Sequence, residues 1–570
     1  MNADCLLAHF DRISDAPDAI PRLRRFILDL AVRGKLVHQD PNDEPASELL
    51  KRIQAEKARL VKEGEIRKEK PLPLVEPNEV PFGEPPGWEW VRIRQVTSDR
   101  GQTTPEKDFT YIDVTSINKG AGYVADAKVL SASDAPSRAR KLVRRGDVLY
   151  SCVRPYLLNI AVIENDIVPS PIASTAFAVL NSFGLILSKY LWIALRSPFM
   201  VKCVEEKMRG QAYPAINDSD FALLPLPLPP LAEQHRIVAK VDELMALCDR
   251  LEAAQAERKQ RQDRLAAASL HRLNNGIDAH AFREHVRFHL SHLPRLTTRP
   301  EHIQQLRQTI LNLAVRGKLV PQDPNDEPAS ELLKRIQAEK ERLIKDGALR
   351  KEKPLPPVAE DEAPFAIPTS WIWARIGTCS LLTEYGTSVK SDHAENGVPV
   401  LKMGDIQGGR VILGGQKKVP RLIEDLPQLF LKRFDLLYNR TNSAELVGKT
   451  GIYLGKDDAY TFASYLIRIR FINELTSPVY SNLAMNAPYF RETQILPELQ
   501  QQCGQANVNG TKLRTMMIPL PPLAEQNRIV AKVDELMAVC DRLEAQITTA
   551  QTESRRLLEA VLHEALSPAA

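Results

Sequence analysis

The chain has 570 residues, which at roughly 150 residues per domain predicts about four structural units and excludes a single small domain. Its 76 Lys and Arg against 72 Asp and Glu leave a net charge of +4, and with 44% apolar residues the composition is that of a folded chain, so any basic surface must be local. No stretch approaches the roughly 18 apolar residues of a membrane helix, and the first residues lack the layout of a signal peptide, so we expect a cytoplasmic protein without membrane association. Its 7 cysteines never occur in CxxC spacing, which argues against a disulfide framework and a structural zinc site.

A long internal repeat organises the sequence. Residues 31–57, AVRGKLVHQDPNDEPASELLKRIQAEK, recur at 314–340 with a single substitution. A second block, LAEQHRIVAKVDELMALCDRLEA from Leu231, recurs from Leu523 with two substitutions. Both blocks are predicted helices, and the stretches between them correspond only at scattered positions. The sequence therefore predicts a constant helical frame around two variable modules.

The order of the blocks predicts the domain organisation. The two chain ends together contain what the central region contains in one piece, which predicts a pseudo-two-fold molecule with its termini close together. Each variable module opens with a Trp-x-Trp pair and ends where a Pro-rich run meets the second helical block. The regions are an N-terminal helical region and linker at 1–87, a first module at 88–226, a central helical spacer and linker at 227–370, a second module at 371–518, and a C-terminal helix at 519–570.

Both copies of the second block carry apolar residues at alternating steps of four and three, the pattern of a coiled-coil seam. The near-identity of the copies favours packing of the two seams against each other; an amphipathic helix packed on a domain is the alternative. Read from Leu231 to about Leu270, the central helix would be about 60 Å long and could hold two modules apart. The predicted pairing residues are Ile237, Val241, Leu244 and Leu251 in the first copy and Ile529, Val533, Leu536 and Leu543 in the second.

The variable modules alternate apolar, β-branched runs with Gly, Asn and Asp and contain short helical stretches. The run at 145–150 corresponds to the run at 433–438, and an arginine follows in each, Arg154 and Arg440. We therefore predict an α/β fold class: two mixed α/β domains of one fold, joined and separated by long, paired, antiparallel coiled-coil-like helices.

Local charge favours a nucleic-acid interface on both modules. Residues 130–160 carry six Lys and Arg against two acidic residues, and residues 385–450 carry ten against seven. Basic side chains would contact phosphates, while Arg, Asn, Ser and Tyr on loops would reach base edges; a solvated surface is the alternative for each of them. The candidate DNA-binding residues are Arg138, Arg140, Lys141, Arg154, Tyr156 and Asn159 in the first module and Lys390, Lys402, Arg440, Asn442, Ser443 and Lys449 in the second.

No catalytic or metal-binding constellation is predicted. Gly448-Lys449-Thr450 resembles the end of a phosphate-binding loop, but position 443 is serine where that loop requires glycine. Asn486-Ala487-Pro488-Tyr489 resembles the adenine-holding loop of amino-methyltransferases without a glycine-rich cofactor turn before it. Asp113 with Asp126-Ala127-Lys128 matches a nuclease-like pattern that is too permissive to carry weight, and the histidines show no metal-ligand spacing.

The sequence resembles the DNA-specificity (S) subunits of type I restriction-modification systems. The resemblance is carried by the PLPPLAEQ(H/N)RIVAKVDELM blocks that close each module, by the duplicated AVRGKLV frames, and by the segment NRTNSAELVGK from Asn439. It implies that each module reads one half of a bipartite, asymmetric site on double-stranded DNA and that the helices set the spacer.

The resemblance also implies a non-catalytic chain with partners. Two methyltransferase (M) subunits would dock on the repeated regions and methylate adenine with S-adenosylmethionine, and restriction/translocase (R) subunits would add cleavage that needs ATP and Mg. This chain would bind no cofactor itself. A stand-alone nuclease or methyltransferase, and a coiled-coil scaffold with two non-DNA ligand-binding modules, are the alternatives.

Overall fold

The computed structural model describes residue 16 and residues 18–275, 279–392, 396–502 and 505–566. The chain divides into two compact units, the first made of Met1–Arg258 with Ala550–Ala570 and the second of Lys259–Thr549. Each unit combines one variable module with helices of the repeated frame. In these described ranges, no helix is long and apolar enough to cross a membrane.

The first unit holds six complete helices, the start of a 45-residue helix and eleven strands among its described residues. The helices are α1 Ala19–Val32, α2 Ala46–Lys62, α3 Ile93–Val96, α4 Ser188–Arg196, α5 Pro198–Lys207, α6 Asp218–Ala222 and the long α7 Leu231–Asn275. The strands are β1 Glu89–Arg92, β2 Phe109–Ile112, β3 Ile117–Asn118, β4 Tyr123–Val124, β5 Lys128–Leu130, β6 Ala139–Leu142, β7 Val148–Ser151, β8 Ile160–Val162, β9 Pro171–Ser174, β10 Phe177–Leu180 and β11 Pro225–Leu228.

The second unit repeats this plan with a longer set of strands. Its helices are α8 Ala279–Ser291, α9 Leu293–Leu296, α10 Pro300–Val315, α11 Ala329–Lys345, α12 Ile376–Cys379, α13 Pro478–Asn486, α14 Pro488–Phe490, α15 Gly510–Thr515 and α16 Leu523–Leu566, whose last turns belong to the first unit. The strands are β12 Ile372–Arg375, β13 Leu382–Tyr385, β14 Val398–Leu401, β15 Ile406–Gln407, β16 Arg410–Val411, β17 Lys418–Val419, β18 Leu436–Asn439, β19 Thr441–Asn442, β20 Thr450–Ile452, β21 Thr461–Phe462, β22 Leu466–Arg470, β23 Gln500–Gln502, β24 Gln505–Asn507 and β25 Met517–Leu520.

Both modules are built on small mixed sheets, so the predicted mixed α/β fold is confirmed. The first has sheets of order β5-β2-β9-β6 and β10-β7-β8, and the second has β13-β22-β18-β20-β16-β15, β17-β14-β21 and β19-β24-β23. Each module contains a parallel pair of strands, β2 with β9 in the first and β14 with β21 in the second. The second strand of each pair leads through a turn into a strand with an antiparallel partner, β10 in the first module and β22 in the second. The antiparallel partner of that strand is β7 or β18, the run that the sequence aligns.

A short two-stranded sheet closes each module at its base. β1, which contains the second Trp of the Trp-x-Trp pair, pairs with β11 in the register Glu89↔Leu228, and β12 pairs with β25 in the register Ile372↔Leu520. The prolines of β11 and β25 cannot donate to a central ladder, but they are tolerated here because the sheet has only two strands. Each module therefore begins and ends at one place.

The frame makes the same buried contacts in both repeats. The indole N–H of Trp88 donates to the carboxylate of Glu233 over 2.9 Å, and Trp371 donates to Glu525 over the same distance. Burial raises the pKa of each carboxyl, and the indole hydrogen bond opposes that shift. These contacts join the first residues of a module to the first turn of the long helix behind it.

The seam residues of each long helix pack against a short helix of the same unit. Ile237, Val241, Leu244 and Leu251 lie in one hydrophobic cluster with Ile20 and Ile27 of α1, and Ile529, Val533, Leu536 and Leu543 lie in another with Ile303 and Ile310 of α10. Arg24 of α1 makes ion pairs of 2.6 and 2.8 Å with Asp249 and Glu252 at the edge of the first seam. The predicted partner of each seam, the other seam, is therefore corrected to a short helix of the same unit. Heptad spacing shows that a helix packs against another helix, but it does not identify which one.

Described residues near the two chain ends contact each other within the first unit. Ala16 and Ala19 pack with Leu558 and Val561 near the end of α16, and Arg22 bonds Glu559 over 2.9 Å. This contact agrees with the close termini that the block order predicts. In the second unit α8 and α9 lie between α7 and α10 along the chain, and Nδ1 of His289 on α8 lies 2.9 Å from the Ser269 hydroxyl on α7.

Candidate nucleic-acid interface

A turn at residues 463–465 brings together the candidate segments of the second module. The N–H of Ala463 donates to the carbonyl of Leu401 over 2.9 Å. The N–H of Ser464 donates to the carbonyl of Thr387, also over 2.9 Å. The carbonyl of the last residue of the turn accepts the N–H of Arg440 over 3.1 Å. The segments that meet at this turn carry the predicted residues Lys390, Lys402 and Arg440, of which the two lysines are exposed.

The guanidinium of Arg440 is held in place at this turn. Its Nε donates to the carbonyl of Ser464 over 2.9 Å, and Nη1 donates to the Asn507 side chain over 3.4 Å. The group also lies over the ring of Tyr385, 4.9 Å from the ring centre. Tyr385 and Tyr465 are both substantially exposed, so an oriented arginine and two aromatic rings share one surface. Neither tyrosine is among the residues predicted from the sequence.

The loop after β18 carries the remaining candidates of this module. β19 pairs with β24, and the Asn442 carboxamide oxygen accepts the N–H of Ser443 over 2.8 Å. Ser443 and Lys449 are exposed at the two ends of the loop. Arg491 donates to two carbonyls of the loop, those of Ala444 and Val447, over 2.6 and 3.1 Å. The loop is therefore supported from the module by an arginine that the sequence analysis missed.

The first module has the equivalent turn at residues 174–176. The N–H of Thr175 donates to the carbonyl of Arg138 over 2.9 Å, and the carbonyl of Ala176 accepts the N–H of Cys152 over 2.9 Å. Cys152 is thus bonded to its turn in the way that Arg440 is bonded in the second module. The carbonyl of Cys152 also accepts the N–H of Ile216, and the carbonyl of Arg440 accepts the N–H of Val508. These bonds agree with the alignment of the two runs, and Arg154 lies two residues further along its loop than the position of Arg440.

The residues that follow Cys152 form an exposed loop. Arg154 lies over the ring of Tyr213 at 4.7 Å, and its N–H donates to the carbonyl of Pro214 over 2.8 Å. Tyr156 is exposed at the tip, and Asn159 is half-buried where its carbonyl accepts from β7. The structure therefore brings these three candidates together on one loop.

The other basic candidates of the first module differ in accessibility. Arg138 is exposed and Arg140 is half-buried. Lys141 is only 4% exposed, and its ammonium group bonds Asp99 over 2.7 Å and Asp218 over 3.2 Å. Burial lowers the pKa of Lys141, but the two carboxylates outweigh it and hold the pKa above its usual value. The prediction of a DNA contact at Lys141 is wrong, because a buried, paired ammonium cannot reach a phosphate.

The residues of the rejected catalytic patterns have structural roles. The Asp113 carboxylate accepts the N–H groups of Thr115 and Ser116 over 2.8 and 3.1 Å and caps a short helical turn. The Asn486 side chain donates to the carbonyl of Thr450 over 2.9 Å. Among the described residues, no group of three or more His, Cys, Asp and Glu side chains could hold a metal ion.

The geometry defines two modules of one fold that present different basic and aromatic loops on a repeated frame. Known proteins with this organisation were found by comparison. The family model for the type I restriction modification DNA specificity domain matches the chain twice, over residues 86–258 and 382–550. The chain is 34% identical over 573 residues to the type I restriction enzyme EcoAI specificity subunit of Escherichia coli, covering 96% of this chain and 94% of that protein. It is 33% identical over 559 residues to the EcoEI specificity subunit of Escherichia coli, with the same coverage.

A solved structure from a study of complex assembly and conformational transition of the type I R-M system supports the fold. It covers 85% of this chain and 99% of its own, with a TM-score of 0.51 and 24% identity. The chain belongs to the family of type I restriction-modification DNA specificity subunits. It is accordingly a DNA-recognition component of such a system and a non-catalytic subunit rather than an enzyme.

Proposed function

We propose that each module reads one half of a bipartite, asymmetric site on double-stranded DNA, and that the repeated helices set the length of the unread spacer. The observation that carries this proposal is the equivalence of the 152–159 and 440–449 loops. Both leave the module after the equivalent strand and are held by the equivalent turn, yet one carries a half-buried Arg154 and an exposed Tyr156 while the other exposes Ser443 and Lys449. One scaffold with two different reading loops implies two different half-sites.

We further propose that two methyltransferase subunits dock on the repeated frame. The exposed faces of α2 and α11 carry matching ion pairs, Lys51 with Glu48 and Lys334 with Glu331, each over 2.7 Å. A partner that recognises one of these faces also recognises the other, so a duplicated frame binds two copies of one partner. Restriction/translocase subunits complete the complex in the cytoplasm, and S-adenosylmethionine, ATP and Mg are bound by the partners.

Genome-wide methylation mapping tests this function. The chain is expressed with its methyltransferase partner in a host without adenine methylation, and modified adenines are located by long-read sequencing. The proposal predicts a split, asymmetric motif with a fixed gap. If a stable complex forms without new adenine methylation, the proposal fails and the scaffold alternative gains support.

A further inference from the structure

A strained turn projects from the first module between β7 and β8. Arg154 and Leu158 both adopt left-handed backbone conformations, with φ of 48° and 55°. The residues between them, Pro155–Leu157, form a single 3-10 turn. A left-handed conformation is unfavourable for residues with a Cβ atom and persists only where the surroundings hold it in place. We call residues 154–158 the finger.

The finger is fixed at its base by the neighbouring chain. Its first N–H donates to the carbonyl of Pro214 over 2.8 Å, and Val153 forms a β-bridge with Ala215. The guanidinium of Arg154 stacks on Tyr213, and Pro155 is buried beneath the turn. Two carbonyls within the finger accept backbone N–H groups over 3.0 and 2.9 Å. The turn is therefore a preformed, stiff projection.

The tip of the finger presents apolar side chains to solvent. Tyr156 is 44% exposed and Leu157, beside it, is 39% exposed, while Tyr213 at the base is 69% exposed. The turn itself packs against α5, yet it leaves these neighbouring large apolar side chains partly in solvent, and such surfaces mark contact sites. Arg154 adds positive charge beside them, whereas the nearby exposed Arg209 is paired with Asp220 over 3.2 Å.

The corresponding loop of the second module has a different chemistry. Its first residues, Thr441 and Asn442, form β19 and pair with β24. The Thr441 hydroxyl donates to the Asn507 side chain over 3.1 Å, and Ser443 follows as an exposed hydroxyl. Hydroxyl and amide groups on a small ribbon suit hydrogen bonding to base edges.

We propose that Tyr156 and Leu157 form an apolar wedge that enters one base step of the first half-site and unstacks it. This inference rests on the proposed function, and it assigns different modes of readout to the two modules: deformability in the first and base edges in the second. Insertion of apolar side chains between bases kinks a duplex, and pyrimidine–purine steps unstack most easily. The first half-site should therefore contain such a step where the finger touches it.

The test uses the full chain assembled with its methyltransferase partner. Duplexes carry the fluorescent base 2-aminopurine in turn at each position of the first half-site, whose sequence comes from methylation mapping. The methyltransferase flips its own target adenine, which unstacks that position in any case. The wild-type complex should increase the fluorescence at one further step, where the wedge unstacks the bases. The double variant Tyr156→Ala with Leu157→Ala should lose that increase and bind roughly ten-fold more weakly, as expected for loss of base stacking.

Two variants serve as matched controls. Tyr156→Phe keeps the ring and should behave as the wild type. Tyr123→Ala removes a tyrosine that is also 44% exposed but lies on β4, so it should leave both fluorescence and affinity unchanged. Because no charge is lost in any of these variants, the dependence of affinity on salt should stay the same.

Failure of the wedge is distinguishable from failure of the proposed function. If the wild-type complex methylates a split motif but no position of the first half-site other than the methylated adenine becomes fluorescent, the wedge is wrong. The same conclusion follows if the double variant, folded with an unchanged thermal midpoint, keeps the signal. Absence of any split motif in the wild type would overturn the proposed function itself.

Discussion

At the scale of single residues, the buried polar side chains of the frame have matched partners in both repeats. Trp88 and Glu233 form one such pair, and Trp371 and Glu525 form the other. A buried carboxylate that loses its donor bears the full cost of desolvation, which is larger than the net gain from the bond. Each pair therefore ties a module to the long helix that follows it.

Removal of the indole donor should destabilise the fold. We expect Trp88→Phe to lower the free energy of unfolding by about 1–3 kcal/mol, measured by denaturant unfolding. Combining it with Glu233→Leu should cost less than the sum of the two single changes, because the unpaired carboxylate is then absent. Simple additivity of the two changes would show that this hydrogen bond does not hold the module to α7.

Arg138 and Lys141 show why a high content of basic residues does not by itself locate a DNA contact. Both are basic and lie within one basic segment, but Lys141 is buried against Asp99 and Asp218, which lie 42 and 77 positions away in the sequence. No local pattern reveals such partners. Arg138, which is exposed, remains a candidate.

Substitution of these two residues should separate stability from binding. Arg138→Ala should leave the thermal midpoint unchanged and reduce the slope of log affinity against log salt by about one, because one phosphate contact is lost. Lys141→Ala should instead lower the free energy of unfolding by roughly 1–3 kcal/mol through its unpaired acidic partners. DNA binding is measured by salt titration of the assembled complex, and an unchanged slope for Arg138→Ala would remove that residue from the interface.

At the scale of elements, the long helices are held by short helices of the frame. Ile27 of α1 lies in the cluster that contains the first seam, and Ile310 of α10 lies in the cluster that contains the second. The helical period could be predicted because burial follows 3.6 residues per turn. The partner could not, since α1 and α10 both carry apolar faces and no seam position encodes which of the available helices covers it.

Truncation of either covering residue should have equal effects. We expect Ile27→Ala and Ile310→Ala each to lower the free energy of unfolding by about 2–5 kcal/mol, since both lose buried methyl groups from a packed seam. Denaturant unfolding of the two variants checks this. A loss in only one of them would show that the two seams are not covered in the same way.

The two ends of each module could be predicted from the sequence because each end has a distinctive sequence pattern. The Trp-x-Trp pair lies in or beside the first strand of each module, and the Pro-rich run forms the last, with pairs such as Glu89↔Leu228. The loops between were harder to align. Extending the aligned runs by two residues places Cys152 opposite Arg440, but only the backbone hydrogen bonds of the fold show how each loop is held.

At the scale of the whole molecule, the repeat separates structure from specificity. Residues of the frame keep the same contacts in both copies, whereas the reading loops share only the backbone bonds that hold them. Because each module begins and ends at one two-stranded sheet, we expect that it can be exchanged without altering the frame. The position of a module on the frame then decides which half of the site it reads.

Exchange of a module tests this central claim most directly. Residues 88–226 are replaced by a second copy of residues 371–518, and the methylation motif of the variant, assembled with its partner, is mapped across a genome. The account predicts that the asymmetric motif becomes one whose two halves are the same sequence on opposite strands, with the second half unchanged. A motif that keeps its original first half, or a second half that also changes, would contradict the independence of the two modules.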